Sequence, residues 1–113
     1  MDQETIITNL EVELKRGTQI VQVLYFLKQE QYGYSLLQAL EHKGITIEAG
    51  TLYPLLRRLE TQGMLISKWD TSEARPRKYY QLNDLGILVL NHLISTWKKM
   101  NEDMMSLFEE EKI

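Results

Sequence analysis

Arg75-Pro76-Arg77-Lys78 sets three cations within four residues, and two aromatic residues, Tyr79 and Tyr80, follow directly. Basic side chains at such a turn can neutralise phosphates or reach into a minor groove, while neighbouring rings anchor the strand that carries them. A second pair of cations, Arg57 and Arg58, lies upstream in the segment from Ala49 to Gln62. The chemistry in view is therefore recognition of a polyanion. Reaction chemistry has little to draw on. His42 and His92 stand fifty residues apart, cysteine is absent, and neither a phosphate-binding glycine loop nor a metal-ligand spacing occurs. No catalytic residue, metal or cofactor is expected.

The net charge of -3 over 113 residues looks wrong for a nucleic-acid binder until it is divided along the chain. Residues 1–49 carry four Lys/Arg against seven Asp/Glu, and residues 84–113 carry three against six. Residues 50–83 reverse this, with six cations against three acids. A basic middle between acidic ends confines the attractive field to one region of the molecule. A mixed-charge surface can produce such an imbalance by chance, so the elements that position these cations must carry the argument.

No repeat or linker divides the sequence, and 113 residues suit one domain whose modest core a dimer interface would enlarge. No apolar run approaches the ~20 residues that span a bilayer. The acidic N-terminus is unlike a signal peptide, and the lack of disulfides fits a cytoplasmic protein. Ile6, Ile7, Leu10 and Leu14 form one helical stripe; after Gly17, Ile20, Val21, Leu24 and Leu27 form another, as one bent helix or two. Tyr32-Gly33-Tyr34 interrupts, and a short helix with Leu36, Leu37 and Leu40 inward ends at Gly44. A tight turn leads into the helix from about Ala49 to Gln62, which stops at Gly63. Two short helices joined in this way make a helix-turn-helix. Met64 to Asp70 and Arg77 to Leu82 then read as a β-hairpin, and Asn83 caps a long final helix. The expected fold is mainly α with a small β-hairpin wing: a winged helix-turn-helix over residues 1–83, then a dimerisation helix over 84–113.

The second helix of the motif has two unlike faces. Leu52, Leu55, Leu56 and Leu59 fall at i, i+3, i+4 and i+7, a buried stripe. The opposite face carries Gly50, Pro54, Arg57 and Thr61, flanked by Tyr53 and Arg58. Glycine and proline inside a helix cost roughly 1 and 3 kcal/mol relative to alanine, less near its start. A flat, side-chain-poor helix N-terminus can, however, approach another surface closely, and its free N–H groups suit phosphate. Arg57 is then placed for a phosphate or a guanine edge, and Tyr53 for a phosphate or a base. On this helix alone, a merely solvated pair of arginines explains the pattern equally well. What favours DNA is the combination of basic wing, basic outward face and acidic remainder.

In the last helix Leu90, Leu93, Trp97, Met100, Met104 and Leu107 alternate three and four apart, the period of a coiled-coil seam. It is too short to stand alone, so it should pack with the stripe of Ile6, Leu10 and Leu14. A dimer follows, setting two recognition helices about one duplex turn, ~34 Å, apart on a near-palindromic site. Trp97 with Met100 and Met104 is either dimer core or the lining of a pocket for a small hydrophobic or aromatic effector; Trp97 and Met100 would be its central residues.

These motifs resemble one family. Gly50-Thr51-Leu52-Tyr53-Pro54 with Leu56, Arg58, Leu59, Glu60 and Gly63 is similar to the recognition-helix signature of the PadR family of transcriptional regulators. Tyr32-Gly33-Tyr34, Arg77-Lys78-Tyr79-Tyr80 and the final helix with its Trp97 also resemble that family, over roughly residues 17–100. The resemblance implies a dimeric winged-helix repressor whose grip on its operator a small molecule can relieve. Where many relatives have Ser or Asn as the cap of the recognition helix this chain has Glu48, a weaker cap that is still favourable near a helix N-terminus. The expected DNA-binding residues are Tyr34, Ser35, Gly50, Thr51, Tyr53, Pro54, Arg57, Arg58, Arg75, Arg77 and Lys78, acting on a double-stranded operator. The alternative, a winged helix serving as a protein-interaction module, would need an apolar outward face where this one is polar and basic.

Overall fold

A computed structural model describes residues 1–110, ordered as α1 (Gln3–Arg16), α2 (Gln19–Phe26), β1 (Gln31–Tyr32), α3 (Gly33–His42), α4 (Ala49–Thr61), β2 (Leu65–Asp70), β3 (Arg77–Leu82) and α5 (Asp84–Glu110). The architecture is the expected one, mainly helical with a small antiparallel sheet. The first two stripes are separate helices. Asp2 caps α1 by accepting the Thr5 N–H at 2.8 Å, and Lys15 and Arg16 complement the dipole in its last turn. α3 and α4 each close on a glycine in the left-handed region, Gly44 at φ 75° and Gly63 at φ 78°. Beyond them the Ile45 N–H donates to the Leu40 carbonyl and the Met64 N–H to the Leu59 carbonyl. These bonds end each helix on a reversal that a side-chain-bearing residue would adopt only under strain.

The sheet runs β1-β3-β2. β2 and β3 form the hairpin, with Ser67 opposite Tyr80 and Asp70 opposite Arg77. β1 is an addition to the expected layout: only two residues long, it pairs Gln31 with Tyr80 and Tyr32 with Tyr79 and so attaches the wing to the start of α3. The core is mostly leucine: Leu24 of α2 and Leu27 at its C-cap, Leu36 and Leu40 of α3, Leu52, Leu56 and Leu59 of α4, with Leu82 and Leu90 closing it. Leu55, expected inward, is only partly buried and packs at its margin.

Asn83 joins the two ends of this body. Its Oδ1 accepts the Gly86 N–H at 2.9 Å and its Nδ2 donates to the Gly63 carbonyl at 2.7 Å. α5 therefore leaves the wing directly across the end of α4. Gly86 is buried there, and a Cβ added to it would collide with the Met64 carbonyl oxygen and the Leu82 side chain. One expectation is corrected. Leu90, assigned to the dimer seam by its heptad spacing, is 1% exposed and belongs to the core of this domain. The first two turns of α5 bury Gly86 and Leu90 against the body and leave Leu85, Ile87 and Leu88 exposed; the outer turns stand clear of it.

Those outer turns are bare. Every described residue from Ser95 onward is exposed, and α1 has no buried residue at all. The radius of gyration is 17.3 Å, against about 13 Å for a compact chain of this length. The excess comes from α1 and the outer half of α5, two helices whose apolar side chains this chain alone does not cover.

Candidate nucleic-acid interface

Helix α4 separates its faces as its spacing dictates. Leu52, Leu56 and Leu59 are fully or almost fully buried, while Gly50, Thr51, Tyr53, Pro54, Arg57 and Arg58 are exposed. Glu48 is the N-cap, but its side chain makes no capping bond; its backbone carbonyl accepts from the Thr51 and Leu52 N–H groups, both at 2.9 Å. The first-turn donors of α4 are therefore left without a side-chain cap. Pro54 has no N–H to give the Gly50 carbonyl, and both residues lie on the open face. Burial on the other side holds together a helix whose outward face is poorly suited to one. That face is flat at Gly50 and Pro54 and basic at Arg57.

The two flanks of α4 have different neighbours. Tyr53, Arg57 and Glu60 share one flank, which faces the start of α3 and the wing. The Tyr53 ring lies across Gly33, where an added Cβ would overlap it. Glycine at 33 thus lets Tyr53 sit low against α3 while staying 40% exposed. Gly33→Ala is expected to displace that ring with a loss of stability of only about 1 kcal/mol, since a side chain rather than backbone must move. The aromatic bands of near-ultraviolet circular dichroism should change at nearly constant melting temperature; an unchanged aromatic spectrum would contradict the packing.

Glu60 sits at the wing end of this flank. It accepts hydrogen bonds from the Ser67 hydroxyl on β2 and, at 2.9 Å, from the Lys78 ammonium on β3. These bonds, the Ser67 hydroxyl first, hold its carboxyl below the ordinary carboxylate value, and the pairing raises Lys78. Lys78 also lies over the rings of Trp69 and Tyr80, 5.8 and 5.4 Å from their centroids. The three cations expected together at the hairpin tip are thus divided. Arg77 and Lys78 are in β3, and the Lys78 side chain is 27% exposed and engaged internally. Arg75 alone lies in the turn. Arg77 stacks over Tyr32 at 4.6 Å, with Glu73 3.9 Å away, and keeps 42% of its side chain open.

A carboxyl lowered by folding stabilises the native state above its unfolded value, and that contribution fades as pH falls through the lower, folded one. Glu60→Gln should therefore flatten part of the acid-side loss of stability. Thermal melts at descending pH check this, and a variant with the same acid dependence as the unmodified chain would contradict it.

At the start of α3, Tyr34 is exposed and its hydroxyl accepts a bond from Gln38 at 3.1 Å. Ser35 has an internal partner set: its hydroxyl accepts the Tyr32 N–H at 3.0 Å, and its single proton lies within reach of the Gln31 side-chain oxygen and the Tyr32 carbonyl. It is a helix cap, half-buried and occupied. The structure thus gathers Tyr34, Gly50, Tyr53, Pro54, Arg57, Arg75 and Arg77 on accessible positions around α4 and the wing. Sequence reasoning missed Ser67 and gave no role to Glu60 and Gly33, which it named only within motifs; the partners of all three lie on other elements.

Away from this face, Trp97, Met100 and Met104 of α5 line a cleft of about 530 Å³ with Leu14 of α1 and Ile20 and Val21 of α2. His42 and His92 are exposed, on α3 and α5. Among the described residues no group of three or more His, Asp or Glu could hold a metal ion, and no helix is long and apolar enough to cross a membrane.

Comparison with known proteins agrees with this arrangement. A solved PadR family transcriptional regulator from Eggerthella lenta is 43% identical, with a TM-score of 0.90 over 94% of this chain and 95% of that one. A PadR-like transcription factor from Bacteroides fragilis is 31% identical, with a TM-score of 0.73 over 88% of this chain and 98% of its own. A transcriptional regulator of Mycobacterium tuberculosis is 39% identical over 57 residues, half of this chain and 53% of that protein. The model of the PadR-like transcriptional regulators matches residues 23–92, from the body of α2 through the wing into α5. The chain belongs to the PadR-like family of transcriptional regulators.

Proposed function

We propose that this transcriptional regulator is a homodimeric repressor that binds a near-palindromic operator and is released by a small hydrophobic or aromatic effector. The observation that carries the DNA-binding part is the outward surface of α4: exposed, nearly flat at Gly50 and Pro54, basic at Arg57, and continuous with the wing cations Arg75 and Arg77. α4 would lie in the major groove with Tyr53 and Arg57 near base edges and Thr51 near a phosphate, while Tyr34 meets the backbone from α3. Arg75 and Arg77 would contact phosphates, with Lys78 as the strut behind them rather than a contact. Repression would follow from occupying promoter DNA, in the cytoplasm where that DNA lies.

Residues 1–83 form the reading unit in this proposal, and 84–113 supply dimerisation. Bare helices support the second half. An isolated helix shorter than ~12–15 residues is marginal in water, and α1, with 14 residues, has no buried position. Ile6, Leu10 and Leu14 of one protomer and Trp97, Met100, Met104 and Leu107 of the other are of matching chemistry, all at least 43% exposed. The cleft beside Trp97 and Met100 would hold the effector.

Fluorescence anisotropy tests the proposal, with a labelled duplex from upstream of this protein's own gene against a scrambled duplex, at low and moderate salt. Tighter, steeply salt-dependent binding to the first duplex is the expected result. Equal binding to both would contradict operator recognition there.

A further inference from the structure

A helix in the major groove lies between two phosphate strands, about 12 Å apart across the groove. In the proposed docking the wing and the start of α3 would serve only one of them. They stand on the flank of α4 that carries Tyr53 and Glu60, as the contacts of Tyr53 with Gly33 and of Glu60 with Ser67 and Lys78 establish. Thr51, Leu55 and Arg58, at i, i+4 and i+7, form the opposite flank. A cleft of about 450 Å³ runs along it, and its far wall is the junction of α1 and α2, with Arg16, Gln19 and Ile20. Arg16 is the last residue of α1, held beside α4 because the chain turns at Gly17 and re-enters the body as α2.

Two cations therefore line this cleft, Arg16 from the α1 side and Arg58 from α4, together with the polar Gln19 and Thr51 and with Pro54 from the outward face of α4. Among the described residues, neither Arg16 nor Arg58 has a carboxylate within ion-pair distance, whereas Lys68, Arg77, Lys78 and Lys99 all have one. We propose that Arg16 and Arg58 form a second phosphate site, for the DNA strand on the side of α4 away from the wing. The proposal rests on the DNA-binding reading and extends it: α1, otherwise the dimerisation arm, ends in a DNA contact. A guanidinium suits this task because its planar donors can grip two phosphate oxygens at once. The competing account is that Arg16 only complements the C-terminal dipole of α1, a role its neighbour Lys15 shares and one that needs no DNA. Lys15 supplies the comparison, being of equal charge and one residue away yet lining other clefts.

The experiment measures anisotropy of the full chain on a duplex that the unmodified protein enriches from a random pool, over a series of salt concentrations. Arg16→Ala should weaken binding several-fold and reduce the slope of log affinity against log salt by about one unit per binding unit. Arg16→Lys should keep most of the slope, and Lys15→Ala should leave it unchanged. Sedimentation shows that each variant retains the oligomeric state of the unmodified chain. Equal losses for Arg16→Ala and Lys15→Ala would mean a diffuse field and would overturn the site, as would an unchanged slope for Arg16→Ala. If the unmodified protein enriches no duplex, the DNA-binding reading itself fails and takes this site with it.

Discussion

A glutamate in place of Leu10 should leave the protein monomeric and remove most of its operator affinity. Leu10 is 58% exposed on a helix with no buried residue, so within one protomer the substitution breaks no core contact. In the proposed dimer the same position sits in an apolar seam against the outer half of α5, where a carboxylate would be desolvated with no partner. Losing the dimer means each half-site is held alone, and the advantage of two linked contacts, roughly 10²- to 10⁴-fold, disappears. Sedimentation velocity gives the mass and anisotropy the affinity. Thr8→Glu, on the opposite side of α1, adds the same charge and should do neither. A Leu10→Glu protein that remains dimeric would show that the α1 stripe is not the seam.

The second large effect concerns stability and sets two glycines against each other. Gly86→Ala should destabilise by about 3 kcal/mol, because the new methyl meets a backbone carbonyl, that of Met64, which the hairpin holds in place. On a domain of this size that is a fall of roughly 10 °C in melting temperature. The intrinsic preference for alanine in a helix offsets only about 1 kcal/mol of it. Gly50→Ala should have the opposite sign. Nothing lies within 4 Å of a Cβ at Gly50, so alanine should stabilise the helix by up to about 1 kcal/mol. Its methyl would nevertheless stand on the face assigned to DNA, and operator affinity should drop while the melting temperature rises. Melting curves for both variants test this; equal shifts for the two would contradict the packing of α5 on Met64.

The contrast also shows where sequence ceases to inform. The stripe of α4, the glycine stops at 44 and 63, the hairpin and the Asn83 cap are local: each depends on neighbours within a few residues, and each is visible as spacing or residue type. The two-residue strand at Gln31–Tyr32 has no periodicity of its own and exists because β3 offers it an edge. Glu60 meets Lys78 across eighteen positions of sequence, and Gly33 meets Tyr53 across twenty, so neither pair leaves a local sign. Leu90 shows a further kind of difficulty. A three-and-four spacing marks an apolar stripe but not where along it the covering surface changes from the same chain to a partner. For the site, the cations were legible as a group, while their division into an exposed pair, Arg75 and Arg77, and an internal strut, Lys78, required the tertiary structure.

That division gives the wing a definite mechanical role in the account. Lys78 and Glu60 tie β3 to the last turn of α4, and Arg77 stacked on Tyr32 ties it to the start of α3. Wing and recognition helix should then move as one body, and whatever alters the angle between two such bodies in a dimer alters both contacts together.

The central claim is that this surface, presented twice, reads a defined DNA sequence. Selection of duplexes from a random pool by the purified protein, followed by sequencing, tests it most directly. The account predicts an enriched inverted repeat whose half-sites lie about one helical turn, ~34 Å, apart. A pool that stays random, or that converges on a single unrepeated half-site, would contradict it.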